Sequence, residues 1–160
     1  CALPIYLLVR TTATSGTAGA LIFAKKSGGT TWQVGPATFG SGNNFYVANS
    51  SDVGVYLASG NTSWTANSDE RFKTNWRDIS PTFLQDLAKV KVGVYDRTDI
   101  ESTQVGVSAQ SLRPVLEQAV LEDADGKLSV AYGNAALVAA IKLAEKVLAL
   151  EARIAALEAK

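Results

Sequence analysis

The chain has 160 residues, enough for one domain or two small ones, and its 15 basic and 15 acidic side chains cancel to no net charge. Without a basic cluster, the long-range field that would hold a nucleic-acid backbone or an acidic membrane surface is missing; no apolar run approaches the roughly twenty residues needed to cross a bilayer. One cysteine makes no internal disulfide, and with no histidine a zinc site is not expected, so neither metal nor cofactor is assigned. The opening residues lack the basic start and cleavage signature of a secretory peptide, and a chain that begins at Cys1 without any methionine is expected to be cut from a longer protein.

The first 67 residues read as short strands. Ile5 to Thr12, Ala20 to Lys26, Thr31 to Phe39, Phe45 to Ala48 and Val53 to Ala58 are rich in β-branched and aromatic residues. Breaks at Ser27-Gly28-Gly29 and Gly40-Ser41-Gly42-Asn43-Asn44 supply the residues that accept a positive φ. Long aliphatic runs that would build a private core are few, which hints at strands completed by neighbouring chains. Trp32, Phe45, Tyr46 and Tyr56 read first as buried strand positions and second as glycan contacts.

At Ser68-Asp69-Glu70-Arg71-Phe72-Lys73 the composition changes abruptly. Only Arg10, Lys25, Lys26 and Asp52 are charged before it, and nine of the thirteen glycines lie there. Beyond it the pattern is mixed, and the predicted fold class is α+β. Ser80-Pro81 predicts a helix start with Phe83, Leu84 and Leu87 on its buried face. Val90 to Thr98 and Val105 to Ser108 read as extended, Leu112 to Val120 as helical with Pro114 in its first turn, and Leu128 to Tyr132 as a strand reached through Asp125-Gly126.

From Asn134 to Lys160 a single long helix is predicted, with Leu143, Val147, Leu150, Ile154 and Leu157 spaced as the seam of a coiled coil. Lys146 and Arg153 at g and Glu151 and Glu158 at e would pair between parallel helices. Spacing alone also fits an amphipathic helix docked on its own domain; the matched charges favour self-association. Val138 and Ile141 lie off the seam and are expected to pack on the domain body. The a and d residues lean towards two strands, and two and a half heptads leave the count open.

A serine hydroxyl becomes a useful nucleophile when a base removes its proton, and with no histidine the candidate bases are lysine or a carboxylate. Lys73 is the nearest lysine to Ser68. As a base it must be neutral, which calls for burial or a nearby cation; Phe72, Trp64 and Trp76 are candidates for the apolar setting and Arg71 for the cation. Five positions apart, the two residues align on neither a strand nor a helix, so a bend or a partner subunit has to bring them together.

The hexapeptide, followed by Thr74-Asn75 and Ile79, resembles the start of the endosialidase-type intramolecular chaperone domain, which ends many phage tailspikes and tail fibres and has a relative in myelin regulatory factor. Gln104-Val105-Gly106-Val107-Ser108-Ala109-Gln110, Leu128-Ser129-Val130-Ala131-Tyr132 and the terminal heptads extend the resemblance over residues 68 to 160; Val94-Tyr95-Asp96-Arg97 departs from it where relatives often carry an aromatic pair. The resemblance implies a self-cleaving serine endopeptidase that acts once, in cis. Ser68 and Lys73 would be the catalytic pair, Asn67-Ser68 the cut bond, and Asp69 and Arg71 the residues that position the loop. It further implies a homotrimer in a virion tail, assembled in the host cytoplasm, in which residues 68–160 fold the upstream fibre domains of the same chain and are then released. Residues 1–67 would be the β-rich fibre tip, facing a host-surface glycan or receptor. The alternative is a trimerisation clamp and receptor-binding tip that never cuts; neither nucleic acid nor membrane insertion enters either reading.

Overall fold

The computed structural model describes residues 22–25, 29–36, 44–49, 51 and 53–160. The strand expected at Ile5 to Thr12 and the turn at Gly40 to Asn43 lie outside these residues. The chain divides into two compact units, residues 1–76 and 77–160. Its α+β class agrees with the sequence reading.

In the first unit five strands run in succession as an antiparallel meander: β1 (Ile22–Lys25), β2 (Thr31–Pro36), β3 (Phe45–Asn49), β4 (Gly54–Leu57) and β5 (Trp64–Ala66). Register places Val34, Val47, Val55 and Ala66 in one cross-strand row, and Pro36, Phe45, Leu57 and Trp64 in the next row of the same face. Gln33 and Ala48 are paired on the opposite face and both are buried. Gly54 lies opposite Ala48, where a Cβ would come within 2.2 Å of the Val47 carbonyl oxygen, so the close approach of β3 and β4 requires glycine. The turn between them is tied by Asn49, whose Oδ1 accepts from the amides of Ser51 at 2.9 Å and Val53 at 3.1 Å. The sequence reading missed β5, whose three residues are too few to show an alternation.

The second unit is built on Phe83, Val90, Leu112, Leu116 and Ala119, with Ile79, Leu84, Leu87, Val107, Val130 and Val138 packed around them. Phe83 opens the short helix α1 (Phe83–Leu87), preceded by a turn in which the Phe83 amide donates to the Ser80 carbonyl. Thus Ser80-Pro81 heads the turn, two residues ahead of the helix itself, and the expected buried face of Phe83, Leu84 and Leu87 is correct. A hairpin of β6 (Val92–Asp96) and β7 (Thr103–Val107) comes next.

Ser108 then caps α2 (Ala109–Leu112), its Oγ accepting from the Ser111 amide at 3.4 Å. The helix expected over Leu112 to Val120 does not form. Helix α2 ends at Leu112, a 3-10 turn covers Glu117–Ala119, and β8 (Val120–Glu122) begins at once. Pro114 brings no N–H to a continuing helix, and its ring obstructs the preceding turn. Strand β9 (Leu128–Val130) pairs with β8, and α3 (Tyr132–Glu158) starts two residues earlier than expected. The Tyr132 hydroxyl accepts from the Val107 amide at 3.3 Å, in space that a side chain at position 106 would fill.

The 27 residues of α3 extend about 40 Å. None is buried, and Leu143, Val147, Leu150, Ile154 and Leu157 all present apolar surface. Val138 packs on the core as expected, whereas Ile141 is half exposed and does not. Among the described residues no helix is long and apolar enough to cross a membrane.

Candidate active site

The chain leaves β5 at Ala66 and makes a tight turn before Trp76. Asp69 organises that turn. Its backbone is extended and its Oδ1 accepts from the Arg71 amide at 2.9 Å, capping a single 3-10 turn over Glu70–Phe72. The Arg71 side chain folds back on the same carboxylate, with Nε 3.1 and 3.0 Å from the two oxygens and Nη2 2.6 Å from Oδ2. The Lys73 amide closes the turn on the Glu70 carbonyl at 2.9 Å.

This winding brings the ends of the hexapeptide together. An extended run of five residues would span about 16 Å; here Lys73 Nζ lies 2.7 Å from Ser68 Oγ and donates to the Ser68 carbonyl at 3.0 Å. The bend required by the sequence is therefore present within one chain. Beyond Lys73, Asn75 takes a left-handed conformation with φ 55°, and the Trp76 ring centroid lies 5.7 Å from Lys73 Nζ.

The hydrogen bonds from the Arg71 side chain, then that from its amide, hold the Asp69 carboxyl below its ordinary value, while Asp69 raises Arg71. Asp69 is thus an ionised anchor, suited to shaping the loop. The apolar setting considered for Lys73 is absent from the single chain: Phe72 is 85% exposed, Trp76 is 71% exposed, and Trp64 lies half exposed on β5. Of these three, Trp76 is the one whose ring stands over the lysine.

A cleft of about 700 Å³ borders the turn. Asn67, Ser68 and Lys73 form one wall, and Ser51, Val53 and Gly54 from the β3–β4 connection form the other. Sequence reasoning missed that second wall. The Asn49 turn chemistry was readable; its position across the sheet from Ser68 was not. No group of three or more acidic, cysteine or histidine residues among the described residues is placed to hold a metal ion.

The motif that folds this way is also where the chain meets known proteins. Residues 68–121 match the peptidase S74 family, described as chaperone of endosialidase. This segment is an endosialidase-type chaperone domain. No curated protein and no solved structure matches the chain. The match begins on Ser68 and ends in β8, so the chaperone segment takes in the turn, α1, the β6–β7 hairpin and α2. The β9 strand and the heptads of α3 lie beyond it.

Proposed function

We propose that residues 68–160 are the intramolecular chaperone of a phage tail fibre or tailspike, which helps the preceding chain to trimerise and then frees itself by cutting Asn67-Ser68. The observation that carries this reading is the 2.7 Å approach of Lys73 Nζ to Ser68 Oγ inside a peptidase-family motif. Ser68 Oγ attacks the Asn67 carbonyl carbon while Lys73 Nζ takes the hydroxyl proton. The C–N bond breaks as Lys73 returns that proton to the Ser68 nitrogen, leaving Asn67 esterified to Ser68. Water entering the cleft beside Asn67 and Ser68 hydrolyses the ester, giving a carboxylate on Asn67 and a free Ser68. Asp69 and Arg71 hold the turn throughout. The reaction runs once per chain, so no pocket for a diffusing substrate is needed.

The five exposed seam residues of α3 support self-association through parallel helices, the count of three coming from the family reading, with residues 1–67 as the fibre tip and any receptor or glycan contact located there. Denatured intact mass of the purified chain tests the cut. Two fragments meeting at Asn67-Ser68 are expected, with Ser68→Ala and Lys73→Ala both whole. A parent that stays whole as a native trimer would leave only a folding and oligomerisation clamp.

A further inference from the structure

Resting on the proposed self-association of parallel α3 helices, we propose that Leu137 of each chain seats in an apolar cavity of a second copy, beside Tyr132, Ala136 and Ala139 of that copy. The cavity lies wholly within the second unit and measures about 270 Å³. Val92 and Val107, paired across the β6–β7 hairpin, form part of its wall. Tyr132 is held at its edge by the hydrogen bond that its hydroxyl accepts from the Val107 amide at 3.3 Å. Leu137 of the same chain does not fill this space. Ala135, Val138 and Ala139 are the residues of α3 that pack on the chain's own core, whereas Leu137, about 100° round the helix from Val138, is 64% exposed.

Charge complementarity names the occupant. With Val147 and Ile154 at a and Leu143, Leu150 and Leu157 at d, each g residue meets the e residue five positions further on in a parallel neighbour. The pairs along α3 are Tyr132 with Leu137, Ala139 with Ala144, Lys146 with Glu151 and Arg153 with Glu158. Each pair is matched in kind: large apolar, small, then two of opposite charge. The charged pairs set the direction and register of the second copy. Carried up two heptads, that register brings Leu137 of the second copy to Tyr132, at the cavity. Where g is lysine or arginine, e is glutamate; where g borders an apolar cavity, e is leucine. At this level the seam itself offers only Ala136 at d and Ala140 at a, so the leucine at e is the large apolar side chain able to join the copies there.

The test uses the full chain with Ser68→Ala, so that no cut separates the copies, and with Cys1→Ser, so that introduced thiols stand alone. Chains carrying Leu137→Cys are mixed in denaturant with chains carrying Val92→Cys, refolded together, treated with a short bismaleimide and weighed under denaturing conditions. Both side chains are mostly in solvent, so neither substitution opens a core. Covalent pairs joining position 137 of one chain to position 92 of the other are expected well beyond their share by random mixing. Linkage at or below that share overturns the inference. In parallel, Leu137→Gln should weaken association on the order of tenfold in sedimentation equilibrium with the near-UV signal of the folded body kept. Association of Leu137→Gln equal to that of the parent also overturns the inference and leaves the seam of α3 in place. A parent that stays monomeric at every concentration overturns the self-association reading as well.

Discussion

Ser68 and Lys73 meet because Asp69 shapes the chain between them. Its carboxylate takes the Arg71 amide and the Arg71 guanidinium together, which fixes one short turn where an unrestrained loop would sample many. Asp69→Ala should therefore slow cleavage on the order of ten- to a hundredfold with both reacting residues intact, measured as the rate of fragment appearance. Asp69→Asn keeps an acceptor for the amide and should lose less. The sign of the Asp69 shift sets the pH dependence. Asp69 is lowered in the folded chain, so its contribution is complete above the ordinary carboxylate value and disappears as pH falls through the lowered one. Fluorescence of Trp76, three residues from Lys73, should accordingly be flat from neutral to mildly acidic pH and change only in strong acid. The residue types of the site were legible in the sequence. Their contact was not, since neither the strand period nor the α-helix period aligns positions five apart, and a single 3-10 turn leaves no periodic trace.

The elements were legible where the pattern repeated. Alternation and turn residues located β2, β3 and β4, and the heptads located α3. Two failures have physical causes. The Leu112, Leu116 and Ala119 spacing looked helical, and all three side chains are buried, but Pro114 splits the segment into α2, a loop and a 3-10 turn. Strand β5 has only three residues and takes its place by pairing with β4. Around Phe83 the small elements of the second unit share one core. Phe83→Ala should cost that core about 3–5 kcal/mol, read as an early unfolding transition in denaturant by near-UV circular dichroism. For a core with so few buried residues, a loss of that size is enough to unfold it.

At the scale of the molecule, α3 presents an apolar seam along a helix that buries no residue of its own. Association would cover such a surface. Leu150→Asp places a charge on the seam seven residues from Leu143 and Leu157, at a position outside the set of side chains packed around Phe83. Association should weaken at least on the order of tenfold in sedimentation equilibrium, while the near-UV signal of the folded body is kept. The e and g charges favour parallel over antiparallel helices. The number of partners could not, because so few heptads discriminate poorly between bundles of different size.

On the proposed chemistry, the contact between Lys73 and Ser68 would also bear on the site after a cut. In the intact chain the Ser68 nitrogen is a neutral amide of the same residue whose Oγ and carbonyl oxygen lie 2.7 and 3.0 Å from the lysine amine. Cleavage at Asn67-Ser68 would turn it into an α-amino group, with an ordinary pKa of about 7.7–8.0 and hence largely cationic at neutral pH. The new α-ammonium would then sit on the serine that touches Lys73, and the severed Asn67 would carry a new carboxylate free to depart with the other fragment. A protonated amine has no lone pair with which to attack and a carboxylate is a poor acyl donor, so resealing the bond is opposed by the ionisation that breaking it allows.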